Sequence, residues 1–417
     1  MSKKIRIAGS FMLVLSLIAG SAESKVSAEN NPANKPALSV WNYDHMLQVR
    51  ESLKKGEETY LVPYQKLMKE AKKNLGERVT SVMDKADDKV AISGDKHDFI
   101  SVGKYCWPNP DTPDGMPWIQ RDGYINVENF KKDDAVRQDN MCGKVTKLSL
   151  AYFFSGDDRF AKKAVELTDA WFIDPATRMN PHLTYAQVIP GNDKSMGHFP
   201  GIIFGRVYIN LLAGLDLVKN SPAYTKTFDA GIKKWFTEYT NWLRTSDFGL
   251  KESKMTNNHS IAYDEQLLAF ALFAGDDATA RRIVAEFHPG RIFQQVEPDG
   301  KMPRELARTR GLGYSAYNVK HMLEICEMAK AINPSLFSEK SPDGRCIGIS
   351  IDYIAGYLGK GVADFAPYKQ IDDWDKCMDE LCWIVKWAEK YDPSKNYNLM
   401  FKKYAVNQSD NINYLLY

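Results

Sequence analysis

The chain has 417 residues, 44% hydrophobic and 26% charged, a composition that suits a globular protein with a large core and excludes disordered or fibrous chains. Lysine plus arginine (55) nearly balances aspartate plus glutamate (53), so no whole-molecule attraction to nucleic acid or to an anionic membrane is expected. A polyanionic ligand would need a local basic patch. Aromatic residues, 12% of the chain, are the one excess, and they serve cores and sugar platforms alike.

At the N-terminus Lys3, Lys4 and Arg6 precede an apolar run from Ile7 to Ile18, then Ala19, Gly20, Ser21 and Ala22. This is the pattern of a secretory signal peptide, residues 1–28, cleaved after Ala22 or Ala28, and it predicts a secreted or periplasmic protein. The run is too short to favour a spanning helix, and no later stretch approaches about 18 uninterrupted apolar residues, so no membrane insertion is expected. Residues 29–40 read as a polar linker and 41–417 as one domain. Without residues 1–28 the chain has 51 basic and 52 acidic residues. The six cysteines form no CxxC pair and have no histidine cluster beside them, which argues against zinc. They read mainly as buried thiols, with room for one long-range disulfide.

Helical periodicity dominates from Asn42 onward. Phe160, Ala164, Leu167 and Trp171 recur at the spacing of a helix packed on one face. Similar patterns predict helices over Tyr60–Leu75, Gly201–Val218, Phe228–Leu243, Ile261–Phe273, Tyr317–Ile332 and Trp374–Tyr391. Long alternating segments are scarce, which disfavours a sheet-based fold. Two stretches, Leu150 to Asp158 and Leu268 to Asp277, run an apolar helix into Gly-Asp-Asp and then into a second amphipathic segment. Glycine as helix stop and aspartate as the next N-cap make each a helical hairpin. Serial hairpins fit an α-solenoid or an (α/α) toroid.

Between Ser101 and Asn129 lies a long loop rich in Pro, Gly, Asp and aromatics, and Asp174 to Pro200 forms another; loops this long in a compact domain carry function. Thr256-Asn257-Asn258-His259-Ser260 precedes an apolar helix, so Asn257 and Ser260 suit capping, while Asn258 and His259 pair an amide with a group that moves protons near neutral pH. The segment from Lys301 to Asn318 concentrates Lys301, Arg304, Arg308 and Arg310 ahead of Tyr314. Its glycines, Gly311 and Gly313, suggest a loop feeding a helix. Arginine forks bind carboxylates, and a tyrosine among arginines is expected to have a lowered phenol pKa. No GxSxG elbow, P-loop, HExxH or Rossmann glycine pattern is present, whereas a glycosidase carboxylate pair stays open because spatial separation is invisible in sequence.

Three stretches resemble the alginate lyase family of bacterial polysaccharide lyases. The first is Tyr105-Cys106-Trp107-Pro108-Asn109-Pro110 through Gly115-Met116-Pro117-Trp118 and Arg121-Asp122-Gly123. The most specific runs from Leu150-Ala151-Tyr152 with Ser155-Gly156-Asp157, through Ala170-Trp171-Phe172-Ile173-Asp174-Pro175-Ala176-Thr177-Arg178-Met179-Asn180-Pro181, to Tyr185-Ala186-Gln187 and Ile189-Pro190-Gly191. The last comprises Asn257-Asn258-His259-Ser260 and Glu305-Leu306-Ala307-Arg308 to Tyr314. The likeness spans Ser101 to Asn318. It implies an all-α, incomplete (α/α) toroid with cleft-lining loops, and β-elimination at a linear polyuronate, alginate or glucuronan, leaving a 4,5-unsaturated end.

By that resemblance Asn258 and Arg308 neutralise the uronate carboxylate, Tyr314 transfers the proton, and His259 is the second base or the partner that holds the tyrosine. Gln187, His198, Arg310, Tyr105, Trp107, Lys104 and Asn257 are candidate substrate-binding residues. The arginine-to-tyrosine spacing is one residue shorter than in the family's alginate-specific branch, so Arg308 and Arg310 both stand ready for the arginine role. No metal and no redox or nucleotide cofactor is expected; the partner is an acidic polysaccharide, and the protein a monomer. A glycoside hydrolase on a similar toroid and a non-catalytic polyuronate-binding protein are the alternatives.

Overall fold

Apolar stripes at helical spacing and capping residues at their ends set the architecture. The computed structural model describes residues 36–131, 133–192, 194, 196–405 and 408–417; the expected signal peptide and the start of the expected linker lie outside the described residues. Leu38–Tyr417 cluster as one body. Its longer α-helices are α1 (Tyr43–Lys54), α2 (Leu61–Leu75), α3 (Asp134–Ser155), α4 (Asp158–Phe172), α5 (Val207–Leu217), α6 (Lys226–Thr245), α7 (Asp247–Ser253), α8 (Asn258–Ala274), α9 (Asp277–Phe287), α10 (Gly311–Ala329), α11 (Ile347–Ala355), α12 (Trp374–Ala388) and α13 (Tyr397–Tyr404). Sheet is limited, among the described residues, to two short pairs. β1 (Ile100–Val102) runs parallel to β4 (Tyr185–Val188), and β2 (Cys106–Trp107) antiparallel to β3 (Ile119–Gln120).

The two Gly-Asp-Asp hairpins form as their chemistry dictates. Gly156 and Gly275 end α3 and α8 at φ 71° and 80°, left-handed conformations that a side chain disfavours. Asp157 and Asp276 then accept from the backbone N–H groups of Arg159 and Thr279 to cap α4 and α9. α3 packs on α4 and α5, α8 on α5, α6, α9 and α10, and α10 on α11 and α12. α8 and α10 are buried on nearly every side, whereas α4, α6 and α9 present one apolar face.

Two expected helices differ. Gly201–Val218 is a 3-10 segment, Phe199–Arg206, followed by α5. Close packing on α6 and α8 requires glycine at 205, because a Cβ there would meet the Tyr239 hydroxyl at 2.4 Å and Gln266 Oε1 at 2.3 Å. α10 begins at Gly311, six residues before Tyr317, so Tyr314 sits on a helix turn rather than in a loop. All six cysteines are buried and free.

The long N-terminal loop is anchored by carboxylates at the start of α3. Asp134 Oδ2 accepts from Ile100 N at 3.0 Å, and Asp133 Oδ2 from Val102 N at 2.8 Å. Asp134 also pairs with fully buried Lys85 at 2.6 Å and with Arg137 at 2.8 Å. Burial, reinforced by neighbouring Asp134, pushes the Asp133 carboxyl up to about 7. The folded chain therefore keeps this proton to about pH 7 while the unfolded chain releases it in the usual carboxylate range, so the associated stability is present at low pH and lost as pH rises toward 7 and above. Urea-unfolding midpoints should reveal this. Asp133→Asn, which retains an oxygen for Val102, should gain stability relative to the parent as pH goes from 5 to 8, and a constant difference would contradict the assignment.

Candidate active site

The start of α8 places the first two site residues. Asn257 is its N-cap, with Oδ1 accepting from His259 N at 3.4 Å, so Asn258 and His259 occupy the first turn. They line a cavity of about 670 Å³, in the size range of ligand sites. Lys104, Tyr105, Gln187, Arg308, Arg310 and Tyr314 line it too, so sequence positions more than 200 residues apart converge there. Trp107, His198 and Asn257 do not lie on its wall. The Trp107 indole donates to Tyr124 O and packs beneath Arg121; the Asn257 amide oxygen serves the cap; His198 leads into the Phe199–Arg206 turn. Gln187 holds φ 57°, a strained conformation for a residue with a side chain, kept by Ser101 Oγ accepting from its N–H at 3.0 Å.

Tyr314, Arg308, Asp122 and Tyr105 form a polar stack. Arg308 Nη2 donates to the Tyr314 hydroxyl at 3.0 Å, and its guanidinium carbon sits 4.1 Å from that ring's centroid. The same guanidinium forks onto Asp122 at 3.2 and 2.5 Å. Gly123 makes this approach possible: at φ 82°, a Cβ would stand 2.5 Å from Thr309 Oγ1. The Tyr105 and Tyr314 hydroxyls are hydrogen-bonded at 2.9 Å. Burial pushes the Tyr314 phenol well above its ordinary value, and Tyr105 adds to the rise, so the lowering expected from nearby arginines does not occur. For Tyr105 burial also acts upward, but Lys104 and the hydrogen bond with Tyr314 outweigh it and hold the phenol below its usual value.

The two arginines have different acid partners, and Arg310 also interacts with Tyr105. Arg308 faces the tyrosine, whereas Arg310 Nε and Nη2 are held by Asp372 at 2.7 Å and Asp373 at 3.2 Å. Gly311 N donating to Lys369 O and Ile371 N donating to Thr309 O fasten the same loop. The basic run from Lys301 to Arg310 is therefore no continuous patch. Lys301 pairs with Asp299, Arg304 is exposed, and neither lines the cavity.

Two acids missed in the sequence support the α8 pair. His259 Nδ1 lies 2.6 Å from Oε1 of Glu252, a buried residue of α7. The carboxylate accepts, so the Nδ1 position carries the proton and Nε2 is the nitrogen able to take one. Asn258 donates its backbone N–H and its Nδ2 to the two oxygens of Glu305, each at 2.6 Å, while its Oδ1 is buried without a partner. Burial pushes the Glu305 carboxyl up. A buried acid seven residues before a histidine was the only sequence signal for Glu252.

Beneath the cavity Arg206 donates to Glu265 at 2.7 Å, to Glu324 at 3.0 Å and to the Tyr317 hydroxyl at 3.2 Å. His321 Nδ1 is 3.2 and 3.1 Å from the two carboxylates. Donor atoms of Glu265, His321 and Glu324 lie within 4.8 Å of one another, the one set among the described residues close enough to hold a metal ion. Here the Arg206 guanidinium already bridges both acids.

Residues 81–364 match the alginate lyase family, a wider span than the sequence motifs cover. An alginate lyase from Bacteroides ovatus is similar in structure, with 38% identity, a TM-score of 0.88, and 92% of this chain and 99% of that one covered. Alginate lyase A1-III from Sphingomonas species A1 is similar in fold at 13% identity, with a TM-score of 0.51 over 82% of this chain and 92% of that one. A histidine-to-alanine variant of A1-III, complexed with tetrasaccharide, matches at 15% identity and a TM-score of 0.51, over 87% of this chain and 91% of that one. No curated protein matches the chain.

The phenol pair makes a direct prediction. Because the hydrogen bond with Tyr314 helps hold the Tyr105 phenol below its usual value, Tyr314→Phe should raise the Tyr105 pKa, read by nuclear magnetic resonance of ring-labelled tyrosine. An unchanged Tyr105 titration would show that the two hydroxyls are not coupled.

Proposed function

This chain belongs to the alginate lyase family and is a polysaccharide lyase, and on that premise we propose that it cleaves a linear polyuronate, alginate or a glucuronan, by β-elimination at the cavity between α8 and α10. The observation that carries the reading is the meeting of Asn258, His259, Arg308 and Tyr314 in one cavity. The C5 proton of a uronate is hardly acidic while the adjacent carboxylate keeps its full charge, so the site must neutralise the carboxylate, remove the proton and protonate the leaving oxygen.

Asn258 and Arg308 suit the first task. Glu305, accepting from the Asn258 backbone N–H and from one Nδ2 hydrogen, fixes the amide and leaves the second Nδ2 hydrogen to meet the substrate carboxylate. His259 suits the second: Glu252 holds Nδ1, and Nε2 takes the C5 proton. The C5–H electron pair becomes the C4–C5 double bond as the C4–O4 bond breaks. Tyr314, kept protonated by burial, gives its proton to O4. Arg308, donating to the phenol oxygen, stabilises the phenolate left behind. No water is consumed.

The serial packing of α3 with α4, α8 with α9 and α10 with α11, together with the fold likeness to A1-III, supports an incomplete (α/α) toroid. Export belongs to the same proposal. An exported product whose sequence starts at Glu23 or Glu29 would bear it out, and a protein that stays inside the cell with Met1 to Ala28 retained would refute it.

The enzymatic test is the ultraviolet absorbance of the new double bond on polymannuronate, polyguluronate and polyglucuronate. Folded protein that produces no absorbance on any of them overturns the reading. Tyr314→Phe should lower kcat by about 10²- to 10⁴-fold, and Arg308→Ala by about 10²- to 10³-fold. Glu252→Gln should reduce kcat roughly tenfold or more by loosening the imidazole's orientation. A fully active Tyr314→Phe, with reducing ends but no absorbance, would point to hydrolysis instead.

A further inference from the structure

The cavity wall holds five cationic side chains, Lys104, Arg206, Arg308, Arg310 and Lys376. The three arginines are bound to acids: Arg206 to Glu265 and Glu324, Arg308 to Asp122, Arg310 to Asp372 and Asp373. Lys104 lies 4.9 Å from the centroid of the Tyr105 ring. Lys376 is exposed on the first turn of α12, and among the described residues it has no ion-pair partner. Its neighbours on the same wall, Asp373 and Glu380, are both acidic. Asp373 is turned to Arg310 at 3.2 Å, and Glu380 is one helical turn beyond Lys376.

A polyuronate carries one carboxylate on every sugar. If the carboxylate of the reacting sugar is met by Asn258 and Arg308, the carboxylate of a neighbouring sugar needs another cation. The wall formed by α12 would otherwise repel it, because Asp373 and Glu380 face the same space. We propose that Lys376 is a carboxylate-binding residue for a sugar next to the reacting one, setting how tightly a polyuronate chain, rather than a single uronate, is held. The residue lies beyond the segment 81–364 that matches the family, so this subsite belongs to the C-terminal wall of this chain. The proposal rests on the lyase reading and extends it to a specificity residue.

Two charge changes of opposite sign test it. Lys376→Gln exposes the polyanion to Asp373 and Glu380 and should raise KM about fivefold, the upper end for an exposed charge pair, with the loss in KM rather than in kcat. Glu380→Gln should lower KM. Both effects should shrink at about 0.5 M salt, where screening reaches within a few ångströms. To separate this from the lyase reading, mannuronate and glucuronate tetrasaccharides are titrated calorimetrically into Tyr314→Phe and into Tyr314→Phe/Lys376→Gln. Weaker binding by the double variant supports the subsite whether or not the parent makes unsaturated product. Equal dissociation constants at low salt, for both sugars, overturn it. Unfolding midpoints within experimental error of Tyr314→Phe show that the double variant is folded.

Discussion

The ion pair between Asp122 and Arg308 is the constraint on which the site depends. It joins positions 186 residues apart, at 2.5 Å, and it holds the guanidinium whose Nη2 also donates to the Tyr314 hydroxyl. Asp122 sits on the β3 side of the N-terminal loop, and Arg308 just ahead of α10. Without the pair, the arginine would have a flexible side chain, and the loop, anchored at β1 by Asp133 and Asp134, would lose its tie to the segment ahead of α10. A guanidinium held at both ends has little rotamer freedom left to lose when substrate binds, the condition under which electrostatic preorganisation acts. Gly123 is part of the same device, since any side chain there would push Thr309 away from Asp122.

A second polar layer supports the first from below. Glu265, Glu324 and His321 are buried, and Arg206 is half-buried against them, between core helices where apolar side chains would pack more cheaply. Burying such ions is unfavourable unless each is paired, and removing one partner typically destabilises by about 3–5 kcal/mol. The network therefore contributes less to stability than to position: it fixes the cavity floor, with Arg206 and Tyr317 on the wall, relative to α8 and α10, which carry the residues above. The same logic applies to Lys85 and Asp134, which hold β1 and thereby the loop bearing Lys104 and Tyr105.

What the sequence disclosed and what it hid divide along the range of the interactions. Helix stops and caps are local, so Gly156-Asp157 and Gly275-Asp276 could be read directly as hairpin turns. Asn258, His259, Arg308 and Tyr314 were legible as residue types in motifs, and the fold brings them to one cavity. Their partners were not legible. Asp122 is 186 residues from Arg308, Glu305 is 47 from Asn258, and the Tyr105–Tyr314 pair spans 209, with no periodicity marking any of them. That is also why the tyrosine was expected to be acidic: the arginine beside it was visible in sequence, while the burial and the second phenol that outweigh it were not. Arg310 looked interchangeable with Arg308 for the same reason, since Asp372 and Asp373 lie more than sixty residues downstream. Lys301 to Arg310 likewise looked like a basic patch because sequence shows the cations together and not the acids folded against them.

The near-neutral charge of the chain follows from this arrangement. A cavity for a polyanion could be built from unpaired cations, but several unpaired arginines in one half-buried space would repel each other in the free protein and move when the ligand arrived. Here each cavity arginine has a carboxylate that fixes it, so its field is strong at short range and weak at a distance. In the proposed binding mode a substrate carboxylate is met by oriented hydrogen-bond donors such as Asn258 and Arg308, and by the lysines Lys104 and Lys376, for which no ion pair forms among the described residues. Affinity in such a site is set by position more than by net charge, and a protein with as many acids as bases can bind a polyacid.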